Sequence, residues 1–290
     1  MSGIGFSAAA YHGTMTGWKP ILPPDHPKIM LQLKKGLNLE SLRQPLKTAL
    51  VTAAKLGAEG VEINGRTQLH PATMSRTAVR HFLKTLGDLN LSVAAIHFPT
   101  RRSYGEVEDL ERRIDATKAA MSMAYELGCN VVVNRIGNIP ERGTDNRQTM
   151  IEALTDIGMH AHKCGSWLAA QTDNDDGQTL LGLLEELPLN SLKFDFDPAA
   201  LLMRQQPVTE TMKALAEHVA HFRARDAVQD LSVGQTSEVQ LGRGSVDWSA
   251  LLGLLEEKGY QGFLTVQRDA ESGAIEQCGE SLEYLDQLFQ

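Results

Sequence analysis

Short apolar strand-like runs alternate with longer amphipathic runs eight times between residues 29 and 290, with no break in composition. The strand-like runs read as 29–33, 60–64, 91–98, 130–134, 167–171, 192–198, 219–226 and 262–268. The stretches between them carry apolar side chains at helical spacing. Ser41, Ser75 and Thr144 stand where helix caps belong, and Gly57, Gly128, Gly165 and Gly259 where helices stop. Repeated strand–helix units demand parallel strands, because each strand must return over a helix to pair again. Eight such units close a barrel of roughly 250 residues. An open doubly wound sheet competes, but it carries a Gly-rich phosphate turn after its first strand. Lys34-Lys35-Gly36-Leu37-Asn38 offers no such turn. The expected fold is α/β: a single-domain (β/α)8 TIM barrel over residues 29–290, preceded by an irregular arm over residues 1–28 that is rich in Gly and Pro. Tyr11, His12 and Trp18 of the arm suit a cover for the barrel mouth, a contact with a partner subunit, or a loosely ordered tail.

Charge and cysteine usage narrow the function classes. A net charge of -8 argues against a nucleic-acid partner, which calls for a basic face. Cys129, Cys164 and Cys278 form no metal-binding spacing and no disulfide framework, which points to a reducing compartment. No apolar run reaches eighteen residues, and the N-terminus has no secretory pattern. The expectation is a cytoplasmic protein with no membrane partner. Its oligomeric state stays open, a homo-oligomer included.

Leu192-Lys193-Phe194-Asp195-Phe196-Asp197-Pro198 alternates most clearly, with Leu and Phe on one face and Lys and Asp on the other. Charged groups facing a barrel interior need partners or a ligand. Lys193 and Asp195 are expected to pair deep in the barrel, and Asp197 to end the strand at its mouth. The same parity turns Glu62, Asn64, His97, Gln171, His221, Arg223, Arg225, Thr265 and Gln267 inward. On the fourth strand either Asn134 or Arg135 faces the mouth. Arg101, Arg102 and Arg268 lie near it on this reading, and with Arg223 and Arg225 they favour an anionic ligand. Active sites of such barrels form at the C-terminal ends of the strands. No P-loop, GxSxG or HExxH motif is present.

From Ile29 to Gln290 the chain resembles the xylose isomerase-like barrel superfamily, also called the sugar phosphate isomerase/epimerase family. The resemblance rests on Gly60-Val61-Glu62-Ile63, Ala95-Ile96-His97-Phe98-Pro99, Lys193 to Pro198, Arg225-Asp226-Ala227, and Leu241 to Trp248, in that order. It implies an isomerase or epimerase of sugar metabolism acting on a small polyhydroxylated carbonyl compound. It further implies four metal-ligand positions, a Glu, an Asp, a His and a Glu, which fall here on Gln171, Asp197, Arg223 and Gln267. Only Asp197 keeps the family's residue type.

Arg cannot deprotonate to become a ligand, and neutral amides hold hard cations weakly. The expectation is therefore a degenerate site with no metal and no other cofactor, in which Arg223 pairs with Asp197 while Gln171 and Gln267 bridge them. A slip in the register of the seventh strand would instead put His221 at the ligand position and would still leave both Glu positions as Gln. His97 and Glu62 remain as acid–base candidates, and Asn64, Gln171, Asp197, Arg223, Arg225 and Gln267 as ligand-binding groups. The competing reading is a catalytically inactive barrel that binds a small molecule or serves as a partner subunit. The apurinic endonuclease branch ranks last, for want of a metal cluster and a basic face.

Overall fold

A computed structural model of the chain describes residues 33–172, 175–230, 235–269 and 273–289. Its strands are β1 (Lys34–Asn38), β2 (Gly60–Asn64), β3 (Ser92–His97), β4 (Val131–Asn134), β5 (Trp167–Gln171), β6 (Lys193–Phe196), β7 (Val219–Ala224), β8 (Asp226–Asp230), β9 (Gln235–Val239) and β10 (Phe263–Val266). β1 to β7 and β10 pair in parallel and close a barrel, with β10 between β7 and β1. β8 and β9 form an antiparallel hairpin outside it. The helices are α1 (Leu46–Lys55), α2 (Arg76–Asp88), α3 (Leu110–Glu126), α4 (Asp145–Cys164), α5 (Gly177–Leu184), α6 (Pro198–Met203), α7 (Val208–Leu215), α8 (Trp248–Glu257) and α9 (Ala274–Leu288). No helix among the described residues is long and apolar enough to cross a membrane.

The caps follow the sequence. Ser75 Oγ accepts from Ala78 N at the start of α2, and Thr144 Oγ1 accepts from Arg147 N at the start of α4. Between barrel and helices lies the core, with Val61, Ile63, Ile96, Val132, Leu168, Phe194, Phe196, Phe222, Leu264 and Val266 all at 0% exposure. Phe222 stacks on Phe196 and meets the Trp248 ring of α8 edge-on. The outward parity expected of these strands matches this arrangement, β4 excepted, where the sequence left it open.

Two elements differ from expectation at the start of the chain. Lys34–Asn38 is the first barrel strand, not 29–33; Leu33 precedes it, and 29–32 lie outside the described residues, as does the arm assigned to 1–28. Two lysines can begin a barrel strand because the N-terminal rim is open to water. Lys35 Nζ reaches Asp286 there at 2.7 Å. Gly36 is needed in this strand because a Cβ on it would lie 2.5 Å from Thr265 Oγ1. Ser41 caps no long helix; it sits in a 3-10 turn, Leu39–Leu42, and its Oγ accepts from Arg268 N.

Two more differences arise near the C-terminal ends of the strands. Pro198 ends β6 and also opens α6, since a missing N–H does no harm at a first helical position. The loop after β7 contains the β8–β9 hairpin, packed against α6.

Candidate functional site

The barrel interior holds a buried polar layer beneath an open mouth. In the buried layer Arg223 donates from Nε to Asp195 Oδ2 at 2.7 Å, and from Nη2 and Nη1 to the two oxygens of Glu62 at 3.0 and 3.2 Å. Nη1 also donates to Gln267 Oε1. His221 Nδ1 lies 2.7 Å from Asp195 Oδ1, and its Nε2 lies 2.8 Å from Thr265 Oγ1. The carboxylates of Glu62 and Asp195 are fully buried. Register shifts in the sheet fall at Val61/Glu62 and at Phe194/Asp195, where bulges aim both carboxylates at one guanidinium. Burial alone would push the Asp195 carboxyl up, but Arg223 and His221 outweigh it and hold the group at about 2. Burial opposes the charge on Arg223 too, and Asp195 and Glu62 more than restore it.

Above this layer opens a cavity of about 630 Å³. Its walls include His97 from β3, Arg135 just past β4, Gln171 from β5, Asp197 past β6, Arg204 past α6, and Arg223, Arg225 and Gln267. Gln171 Oε1 accepts from Arg135 Nε at 3.2 Å. Asp197 Oδ2 accepts from Arg225 Nη1 at 2.8 Å, and its Oδ1 caps α6 through Ala200 N at 3.0 Å. Arg225 also reaches Asp269 at 2.7 Å and Glu238 of β9 at 3.4 Å. Arg204 is exposed and pairs with no carboxylate among the described residues.

Asp226, just past the mouth, holds the next loop. Its carboxylate accepts from the backbone N–H groups of Ala227, Gly242, Gly244 and Val246 and from Trp248 Nε1. Burial pushes this carboxyl up, while those donors pull it back.

His97, Gln171, Asp197, Arg223, Arg225 and Gln267 thus meet at one cavity, and two other candidates do not. Glu62 lies below the mouth, locked on Arg223. Asn64 is buried at the end of β2 and turned to the loop after it, its Oδ1 accepting from Arg66 N and Thr67 N and its Nδ2 donating to Glu40. The expected Arg223–Asp197 pair is absent as a contact: each group has another partner, and Gln171 bonds Arg135. Lys193 does not pair with Asp195. Its Nζ reaches Asn190 Oδ1 at 3.4 Å near the opposite rim, because inward neighbours two residues apart occupy different layers.

The fourth-strand ambiguity resolves to Arg135. Asn134 is buried, bonded to Thr100 and Tyr104. Arg102 pairs with Glu108 on the surface, Arg101 is exposed and lines no part of the cavity, and Arg268 ties Glu238 to Gln277. Arg204 and Glu40 were missed. Glu40 Oε2 lies 3.6 Å from His97 Nδ1, and the nearby imidazole holds the Glu40 carboxyl below its ordinary range.

The four positions matched to metal ligands all line the cavity, yet they do not suit a divalent cation. Two are neutral amides and one is a guanidinium. The one carboxylate has both oxygens engaged. Among the described residues no three His, Cys, Asp or Glu side chains are placed to hold a metal.

The family description that matches this sequence is the xylose isomerase-like TIM barrel, over residues 50–288. Among solved structures, a xylose isomerase domain protein from Planctomyces limnophilus is 21% identical, with a TM-score of 0.73 over 88% of this chain and 95% of that one. A xylose isomerase-like TIM barrel protein from Mycobacterium smegmatis, in complex with magnesium, is 17% identical, with a TM-score of 0.73 over 89% and 96%. D-allulose 3-epimerase from Methylomonas sp., in complex with D-allulose, is 16% identical, with a TM-score of 0.68 over 90% and 98%. At these identities the likeness establishes the fold. No curated protein sequence matches this chain.

Proposed function

The chain belongs to the xylose isomerase-like TIM barrel family, and from that premise we propose that its mouth binds a small polyhydroxylated carbonyl compound or sugar acid without a divalent metal. The observation that carries this reading is the cavity itself. It is a hydrogen-bonding chamber at the C-terminal ends of the strands, of a volume suited to one small ligand. Gln171, Gln267 and His97 offer groups to hydroxyl and carbonyl oxygens. Arg204, exposed and without a carboxylate partner, favours an anionic group on the ligand. The complex of the allulose epimerase with its sugar supports the same class of ligand.

His97 is the acid–base group of this reading. It can take a proton from carbon next to a carbonyl. Gln171 and Gln267 cannot act as bases, and that favours a second reading in which the mouth binds its ligand without turning it over.

Calorimetry against ketoses, ketose phosphates and aldonic acids tests binding. Arg204→Ala should weaken an acid-bearing ligand about tenfold and leave a neutral sugar unaffected. If no compound of these classes binds, the proposal fails. Deuterium uptake from solvent beside the carbonyl then separates turnover from binding. Where uptake occurs, His97→Ala should slow it ~10²-fold or more.

A further inference from the structure

Two buried atoms of residues at the mouth lack a hydrogen-bond partner, Arg225 Nε and His97 Nδ1. His97 Nδ1 is buried and makes no hydrogen bond, although Glu40 Oε2 stands 3.6 Å away. Glu40 is itself held in place. Its Oε2 accepts from Asn64 Nδ2 at 2.9 Å and its Oε1 from Thr67 Oγ1 at 3.4 Å, while its backbone N–H is fixed by Asn38 Oδ1 at 2.9 Å. The groups around the imidazole are Glu40 and Asn64 on the Nδ1 side, and Thr100, Arg135, Asp197 and Arg223 around the cavity. Glu40 is the carboxylate nearest to Nδ1.

We propose that Glu40 is a positioning residue for His97, fixing the imidazole with its proton on Nδ1 and its Nε2 lone pair toward the cavity. An ionised carboxylate only accepts hydrogen bonds, and a neutral imidazole has one donor nitrogen and one acceptor nitrogen. If Nδ1 faced Glu40 without a proton, two lone pairs would face each other. Placing the proton there removes that repulsion. A side-chain rotation that brings the atoms about 0.7 Å closer makes a charge-assisted hydrogen bond. The other nitrogen is then necessarily the acceptor. No described residue is bonded to Nε2, and the ring lines the cavity. A base needs that arrangement, because the opposite tautomer would present an N–H to a ligand's acidic hydrogen. What Nε2 acts on rests on the ligand-binding mouth proposed above; the tautomer itself does not.

The test uses the ligand-free full chain labelled with 15N, at about pH 8, where free imidazole is neutral. Long-range proton–nitrogen spectra report which ring nitrogen carries the proton, and the His97 signals are those lost in His97→Gln. The expected result is a proton on Nδ1 in the unmodified protein, moving to Nε2 in Glu40→Met, a variant that removes the acceptor at a half-exposed position. A proton on Nε2 in the unmodified protein overturns the proposal with no variant needed. So does an Nδ1 signal that Glu40→Met leaves unmoved. A structural role for Glu40 would lower the melting temperature without moving the proton. Failure of sugar binding together with an Nδ1 proton would remove the function proposed for the mouth and keep this inference.

Discussion

Asp195 makes the barrel's stability depend on pH, and the sign of its effect can be stated. Its folded value of about 2 lies below the roughly 3.9 of an unfolded aspartate. The stabilisation is therefore complete above about pH 4 and is lost as the pH falls toward 2. Its size is roughly 2–3 kcal/mol. Denaturant melts between pH 5 and 2.5 should show stability falling more steeply in the unmodified protein than in Asp195→Asn; parallel curves would remove Asp195 as the source. At this scale the sequence was legible in direction but not in depth. Two-residue alternation assigned Asp195, Asp197 and Arg223 correctly to the interior. It could not say how far a long guanidinium reaches, and Arg223 turns down to Glu62 and Asp195 rather than across to Asp197. An arginine caught between two buried carboxylates satisfies more of its donors there than at Asp197, whose oxygens already serve Arg225 and Ala200 N, and that decides the pairing.

Among elements, α6 is the one that the mouth depends on most directly, because its cap is Asp197 and its end carries Arg204. Asp197→Ala removes both the cap and one partner of Arg225. The cap contributes roughly 0.5–2 kcal/mol. The lost pair costs less than the roughly 3–5 kcal/mol of a fully stranded buried charge, since Arg225 keeps Asp269 and Glu238. A total near 2–4 kcal/mol is expected by urea denaturation. Asp197→Asn keeps an oxygen for Ala200 N and should cost about half as much; equal costs would assign everything to Arg225 and nothing to the cap. The short elements were the least legible. Asp-Pro after an alternating run marks the end of a strand, and the same pair marks the start of a helix, so α6 stayed hidden. The polar run Gln235–Val239 gives no apolar alternation, because its hairpin lies outside the barrel. Placing the first strand at 29–33 moved Glu40 away from the strand end where it meets His97. An error of a few residues in one element thus concealed a neighbour of the site.

For the whole molecule, a strict strand–helix rhythm was enough to specify a closed barrel, and parity was enough to collect six of the eight candidate residues at one mouth. The remaining question at this scale is the charge that the mouth requires. The four positions matched to metal ligands carry one negative and one positive formal charge here. The positive one, Arg223, is already shared between the buried carboxylates of Glu62 and Asp195 beneath the mouth. A divalent cation would add charge beside Arg223 and would find one committed carboxylate, so the unmodified protein should gain no stability from manganese. Gln171→Glu, Arg223→His and Gln267→Glu together add two carboxylates and an imidazole, and they leave Glu62 and Asp195 without their counter-charge. That variant should be less stable than its parent when apo, and manganese should then repair it. At a metal concentration of about 100 times the dissociation constant, the gain is roughly 2.7 kcal/mol. For a chain of this size that is a rise in melting temperature of roughly 4–5 °C. Elemental analysis and melting curves with and without manganese decide the matter. Near-stoichiometric manganese, zinc or magnesium in the parent, lost on Asp197→Ala, would show that the mouth holds a metal despite Arg223.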